Sequence, residues 1–447
     1  MKVIGLDIGT TSISGLVLDL ARTEVLGKMT CPNTSAIVSS DDFSYLQDPS
    51  RILASIESIL DALLTKEPDV TAIGISSQMH GVLYVDDVGH HVSPLYTWQD
   101  AHGDLACLDS QSYCEVFRER TGYAVSTGYG MVTHFYHFVN DELPTGAASM
   151  CTIGDYVAMK LAGLVRPVTD ATLAASLGGF DIVKKQFDTA ALQNVGVRTN
   201  FLPAVGPSGT PLGKYRGTIT VHSAIGDNQA SYLGAVRHKE NTLLINVGTS
   251  AQLTIEVEKM LTVPQWETRP AVGGGYLLVG ALLNGGNAYA LLESFFRDVL
   301  RVFAGMEEGA LFDTMERMVQ DAGELRNPLT VVPQFYGTRE NPQARGRIKD
   351  ITPQNFTPVH LLVGTLNGLV ETLVARFQEL PSDLRTHIHD IVGAGNGIRK
   401  SLFLTSLIEN RFAVPVEVAR HEEEAAFGAA LYAGESSNAG TTAWEKG

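Results

Sequence analysis

Two stretches of this chain, about half its length apart, follow the same plan. The first sets Val3, Ile4 and Leu6 before Asp7-Ile8-Gly9-Thr10-Thr11-Ser12 and continues with Ile13, Leu16, Val17 and Leu18. The second runs Leu243-Leu244-Ile245-Asn246-Val247, then Gly248-Thr249-Ser250, then alternates from Ala251 to Val257. Each reads as two short strands joined by a turn of glycine and small hydroxyl residues. Glycine tolerates backbone angles that a Cβ resists, and small neighbours leave amides uncovered. Such a turn can offer N–H groups and hydroxyls to an anion, while Asp7 at the strand end can face a hydrated cation. An ordinary hairpin uses the same residues. The repetition predicts two related domains, each with a phosphate-binding turn, together able to clamp a polyphosphate.

A chain of 447 residues has room for two or three domains. The echo puts the boundary near residues 232–240, which gives domains 1–234 and 235–447. Hydrophobic content of 44% and charged content of 18% are globular values. The balance of 33 basic against 49 acidic residues, formal charge −16, speaks against a nucleic-acid partner. Cys31, Cys107, Cys114 and Cys151 have no Cys-x-x-Cys spacing and read as reduced thiols. The N-terminus enters a strand directly, and no run of 18 uncharged apolar residues follows. The expectation is a soluble cytoplasmic protein with no membrane partner.

Along the chain, residues 24–30 read as a third strand and 51–64 as a helix, with Ile52, Ile56, Ile59, Leu60 and Leu63 on one face. Residues 70–76 form a strand that delivers Ser77-Gln78-Met79-His80-Gly81 at its carboxyl end, where open α/β sheets gather ligands. A strand over 82–85, a helix over 152–161, a loop and hairpin over 169–181 and a Gly/Pro-rich connector over 203–217 follow. In the second half, Asn284-Gly285-Gly286-Asn287 opens a helix, 360–378 is a long apolar helix, and Ile391-Val392 leads into Gly393-Ala394-Gly395-Asn396. His421-Glu422-Glu423-Glu424 reads as a charged first helical turn, and the tail after Glu435 as frayed.

Asp227, after Gly226 and before a helical segment, lies between the two phosphate turns in the chain. A carboxylate there can accept the proton of a hydroxyl that attacks a γ-phosphoryl group; it can equally cap its helix. Gln78, His80, Trp98, Asp100 and Asp155 offer the mixed donors, acceptors and aromatic face that a polyhydroxylated ligand needs. Singly, His80 also fits a structural role and Trp98 a core role. Gly393, Gly395 and Asn396 suit a nucleoside lying against backbone, and suit a tight strand-to-helix turn as well.

With these residues in view, the chain resembles the FGGY family of carbohydrate kinases over nearly its whole length. Asp7-Ile8-Gly9-Thr10-Thr11-Ser12, Gly248-Thr249-Ser250, Gly226-Asp227 with Ala230 and Gly234, Thr169-Asp170, and Phe335, Gly337, Arg339 and Pro342 carry the likeness. So do Gln78-Met79-His80-Gly81, Thr97-Trp98-Gln99-Asp100 and Gly393-Ala394-Gly395-Asn396, the last with alanine where the commoner motif has glycine. The resemblance implies an α/β protein of two actin-like ATPase (ribonuclease H-like) domains with a cleft between them. It implies a kinase transferring phosphate from ATP to a ketose, of seven carbons first and a pentulose second, acting as monomer or homodimer. It makes Asp227 the catalytic base, adds Met79 to the sugar-binding group, and gives the nucleotide to Gly9, Thr10, Thr11, Ser12, Gly248, Thr249, Gly393, Ala394, Gly395 and Asn396. Mg²⁺ would ride on the phosphates, with Asp7 reaching it through water. A non-transferring ATPase or a sugar sensor on the same fold is the contrasting class.

Overall fold

The computed structural model describes residues 1–439 except Asp109, Glu240, Glu324 and Glu340; the expected frayed tail beyond 439 lies outside them. The chain forms two compact units. One holds Met1–Gly234 with Arg269–Gly275 and the segment from Glu423 on, the other Ala235–Thr268 and Tyr276–Glu422. The units are therefore not contiguous in sequence, and the stretch after 423, expected in the second domain, belongs to the first.

The first unit is built on a seven-stranded sheet of β1 (Lys2–Ile8), β2 (Ser12–Asp19), β3 (Glu24–Pro32), β4 (Val70–Ser77), β5 (Pro211–Tyr215), β6 (Ile219–His222) and β7 (Ile225–Gly226). The order is β5-β6-β4-β1-β2-β3, with β7 also paired to β4. β1 to β3 are antiparallel neighbours, whereas β4 runs parallel to β1. The continuous apolar run of β1 is explained by burial on both faces. On one face lies α1 (Pro49–Lys66), started by the Asp48 carboxylate, which accepts from the Ser50 and Arg51 amides. Its Ile52, Ile56, Ile59, Leu60 and Leu63 pack with Ile4, Leu6, Ile8 and Ile13 in the main core.

The other face is covered by the C-terminal helix, Glu424–Ala439. Its Ala426, Phe427, Ala430 and Ala433 meet Val3, Leu16, Leu18 and Ala72. Gly5 and Gly74 are register partners under it. A Cβ on Gly5 would stand 1.9 Å from the Ala426 carbonyl oxygen, and one on Gly74 1.9 Å from that of Ala429. The helix thus lies with its backbone against the sheet. It starts at Glu424, so His421, Glu422 and Glu423 precede the helix rather than form its first turn, and it continues past Glu435.

Three other expectations change. Within 169–181 a helix, Ala171–Leu177, lies between the short strand Val168–Asp170 and a hairpin. Asp170 caps it by accepting from the Thr172 amide, and at seven residues it is too short for helical periodicity to show. The 203–217 connector contains β5, whose Pro211 sits where sheets tolerate proline, at the start of an edge strand. Leu83–Val85 is a strand, but it pairs with Ser149–Cys151 in a separate two-stranded sheet.

The second unit repeats the first sheet's pattern. β8 (Thr242–Val247), β9 (Ala251–Val257), β10 (Tyr276–Leu282), β11 (Asp390–Ala394) and β12 (Val416–Val418) follow the order β10-β9-β8-β11-β12, with Glu267–Pro270 at the outer edge. As in the first sheet, a hairpin strand runs parallel to a distant one, here β8 to β11. The long helix Pro358–Gln378 is apolar enough by length and composition to cross a membrane. Its Leu362, Leu366, Leu369, Val370 and Leu373 are instead buried in this unit's core.

Gly74→Ala tests the backbone contact. It is expected to lower stability by ~1–3 kcal/mol, the cost of overpacking a site that cannot yield. Gly309→Ala, where a Cβ meets nothing within 4 Å, should stay within ~0.5 kcal/mol. Urea unfolding of the two variants against wild type gives the comparison.

Candidate active site

Asp7 lies opposite Ser76 in the β1–β4 register, and Ile8 opposite Ser77. On the other side of β4, Gly226 of β7 also lies opposite Ser77. The carboxyl ends of β1, β4 and β7 are thereby neighbours. From them issue the turn at Gly9, the segment Gln78-Met79-His80, and Asp227, the first residue of α2 (Asp227–Ala235). Pairing alone assembles this group, at the end of the sheet where such folds bind ligands.

Hydrogen bonds tie the turn to its neighbours. The Thr10 hydroxyl donates to Gln78 Oε1 at 3.2 Å and accepts from Trp98 Nε1 at 2.9 Å. Gln78 Nε2 donates to Gln47 Oε1, and Gln47 Nε2 to the Thr10 carbonyl, both at 2.9 Å. Asn33 Nδ2 holds the Gly9 carbonyl, also at 2.9 Å. Trp98 is 47% exposed, so its ring is offered outward rather than packed as core. Thr11 and Ser12 are exposed in the same turn. Gly9 does not adopt a positive φ; glycine is needed there because a Cβ would stand 2.9 Å from the Ser12 carbonyl oxygen.

His80 is strained. Its φ is 73°, and the Gly81 amide donates to the Met79 carbonyl, closing a three-residue turn about it. This is the rarer, strained γ-turn, and such backbone concentrates at functional sites. Its Nδ1 lies 2.8 Å from the Ser176 carbonyl. A carbonyl can only accept, so Nδ1 carries the proton. The ring packs on Tyr129 at 4.2 Å. Met79 is buried, and its sulfur presses on Gly226, where a Cβ would come within 2.9 Å. It spaces the strained turn from the Asp227 segment.

Two carboxyls dominate the electrostatics. Asp227 is half-buried, and desolvation pushes it up to about 6, against the pull of the Arg269 charge. Asp7, also half-buried, rises to about 7 through desolvation, with the Asp227 and Glu423 charges adding; its bond from the Ser76 hydroxyl, 2.8 Å, opposes the rise. Among the described residues no group of three His, Cys, Asp or Glu is arranged to hold a metal ion. Asp7 suits a contact through water better than direct ligation.

Asp100 and Asp155 do not join this group as solvent-facing residues. Both are completely buried. Asp100 accepts from Thr133 Oγ1 and lies 3.0 Å from His102 Nδ1. Asp155 closes a capping box with Thr152, accepting from its hydroxyl at 2.8 Å, and burial pushes its carboxyl up to about 7. Asp155 Oδ1 has no hydrogen-bond partner among the described residues. Asn33, Gln47, Ser76 and Arg269 were not among the sequence candidates. Asn33 was within reach, because it follows the strand end that registers against Ser12; Gln47 and Arg269 carry no local signal.

In the second unit, three residues separate the last paired positions of the β8–β9 hairpin, Val247 and Ala251, where four separate Ile8 and Ile13 in the first. Gly286 N–H donates to the Gly248 carbonyl at 2.8 Å and Asn287 N–H to that of Thr249 at 2.9 Å. A Cβ on Gly285 would meet the Ser250 backbone at 2.4 Å. Gly395, with φ of 83°, leaves room for the Val247 carbonyl, 2.6 Å from where its Cβ would be. Thr249, Ser250 and Asn396 are exposed around this surface. Backbone so bare and so crowded fits phosphate and nucleoside groups, which bind to amides. Gly393 and Ala394 do not line it. They lie in β11, buried, with Gly393 against Ile398 and Val416, so the alanine introduces no backbone strain.

The raised carboxyls give a test with a defined sign. An aspartate at about 7 when folded and 3.8 otherwise keeps its proton in the native state, so stability falls as pH rises from ~4 through ~7. Asp7→Asn removes that loss. It should melt above wild type at pH 8, and the gap should close by pH 4; calorimetry at both pH values measures it.

Comparison with known proteins agrees with this geometry. Residues 2–234 match the N-terminal domain of the FGGY family of carbohydrate kinases, and residues 243–436 its C-terminal domain. The chain is 27% identical to a sedoheptulokinase of Mus musculus, over 96% of each chain. It is 24% identical to a glycerol kinase of Nitrosomonas eutropha, over 97% of this chain and 89% of that one. In fold it is similar to a xylulose kinase of Rhodospirillum rubrum, with TM-score 0.84 and 21% identity over 98% of this chain and 90% of that one. With both family domains matched on a duplicated sheet and its strand-end carboxylates, the chain belongs to the FGGY family of carbohydrate kinases, ATP-dependent phosphotransferases with an alcohol acceptor on the two-domain actin-like, ribonuclease H-like fold.

Proposed function

We propose that this kinase phosphorylates the terminal hydroxyl of a ketose, sedoheptulose first, giving sedoheptulose 7-phosphate and ADP. The observation that carries the reading is the strand-end group of the first unit. Asp227 lies there with Asp7 and the bonded set Thr10–Gln78–Trp98, on strands paired side by side.

Asp227 is the base in this reading. At about 6 it is ionised at neutral pH yet basic enough to take a hydroxyl proton. As the sugar oxygen bonds to the γ-phosphorus, its proton passes to Asp227, and ADP leaves with the electron pair of the broken P–O bond. Gln78, His80 and Trp98 hold the sugar. Within the first unit, Gly9 and Thr10 offer a turn for phosphate; within the second, Gly248, Thr249, Gly395 and Asn396 offer a surface for the nucleotide. Asp7 would hold Mg²⁺ through water, and the ion would supply positive charge against the phosphates.

The seven-carbon substrate is supported by the likeness to sedoheptulokinase over 96% of the chain. A pentulose such as D-xylulose is the second reading, since Gln78-Met79-His80-Gly81 suits either length. A pocket that hydrogen-bonds each hydroxyl rejects a shorter sugar by leaving its own polar groups unpaired.

Two expectations follow from these roles. Asp227→Asn should lower turnover by ~10²-fold or more with ligand binding nearly intact. Sedoheptulose should exceed D-xylulose and D-ribulose in kcat/KM by at least ~10-fold. Initial rates with ATP at low concentrations of the three ketoses decide the second: a preference for D-xylulose discards the seven-carbon assignment. ATP hydrolysis equally fast without sugar would point instead to a non-transferring ATPase.

A further inference from the structure

A kinase site must bring an anionic phosphoryl group to a carboxylate base. The first unit makes this harder, because the Asp227 and Glu423 charges already act on Asp7. Neither the hairpin from Val3 to Asp19 nor the stretch from Ile219 to Ala235 contains a lysine or arginine. Any opposing side-chain charge therefore lies outside these two stretches.

The segment Arg269–Gly275 supplies it. It belongs to the first unit although the residues on both sides of it in sequence belong to the second. Gln229, buried two residues after Asp227, donates its Nε2 to the Pro270 carbonyl at 3.0 Å. Val272 packs on Ile225, Ala230 and Leu233, on either side of Asp227 in sequence. The Ala271 amide closes the segment's turn on the Gly275 carbonyl at 3.2 Å. Arg269 is the residue before the anchored Pro270, and these contacts fix its backbone beside the first turn of α2.

We infer that Arg269 is the positioning residue of Asp227, the cation that lets a carboxylate base and an incoming phosphoryl group share one site. This rests on the reading of Asp227 as the base. The titratable groups on the elements packed here are Asp7 on β1, which feels the Asp227 and Glu423 charges, Glu424 opening the C-terminal helix, Tyr432 within it, kept neutral by burial, and Asp170 capping the helix whose Thr172 hydroxyl holds the Gly226 amide. Among the described residues, the charge that lowers the Asp227 pKa is that of Arg269, which agrees with the anchoring.

The test is a double-mutant cycle on the full chain with ATP and the best ketose. Arg269→Gln should lower kcat ~10-fold while sugar KM changes less than ~3-fold, and should move the acid limb of the pH–rate profile up by about one unit. Arg269→Lys keeps the charge and should stay within ~3-fold of wild-type kcat, a prediction that holds as a test even where the glutamine variant does not fold. In the Asp227→Asn background, Arg269→Gln should add no further loss. An unmoved acid limb, a lysine variant as slow as the glutamine one, or a full additional loss in the Asp227→Asn background overturns the proposal. Wild-type turnover in Asp227→Asn overturns the base reading and the proposal with it. A crippled Asp227→Asn beside a normal Arg269→Gln overturns the proposal alone.

Discussion

Helices usually rest on sheets through side chains; in the first unit the C-terminal helix rests through its backbone. Two paired glycines, Gly5 and Gly74, remove the side chains that would hold it off. The same helix meets α2 without side chains between them: a Cβ on Gly428 would stand 1.8 Å from the Ala230 carbonyl oxygen, and one on Gly234 2.0 Å from that of Glu424. The contact therefore locks the helix that begins with Asp227 against the sheet that ends with Asp7. A side chain at any of these glycines displaces a rigid carbonyl rather than a mobile tip, and the strand-end group goes with it.

That lock permits an unfavourable arrangement of charge. Half-buried carboxyls at the ends of β1 and α2 resist ionisation through desolvation, and the Asp227 charge raises the difficulty for Asp7. Folding alone would favour neutral side chains there. Their persistence is understandable when the carboxylates serve a ligand, because a base needs a pKa near the working pH and burial is what raises it. Strain at His80 belongs to the same pattern, held by Ser176 and Tyr129 around a turn the backbone disfavours.

How much of this the sequence carried depended on whether the signal was local. The two hairpins were legible because apolar strands and glycine turns sit within a dozen residues, and Asp227 because a glycine and a helix bracket it. The burial of Asp100 and Asp155 was not legible, because an aspartate facing solvent and one buried beside Thr133 or Thr152 are spelled alike. Helix Ala171–Leu177 escaped because seven residues show less than two full turns of periodicity. The discontinuity of the units was invisible: nothing in Ala425-Ala426-Phe427-Gly428 names the sheet it covers, and Arg269 lies among residues of the other unit.

The order of synthesis gives the C-terminal helix a further consequence. Thr30 of β3 bonds to Glu423, 393 positions later, at the start of the segment that covers the first sheet. Until that segment leaves the ribosome, Val3, Leu16, Leu18 and Ala72 form an uncovered apolar face. A nascent chain in that state is a substrate for chaperones and a partner for its own copies. It is also without the backbone contact that Gly234 and Gly428 make between that helix and α2. The order of synthesis thus leaves this face of the first sheet bare until residues 424–439 have been made.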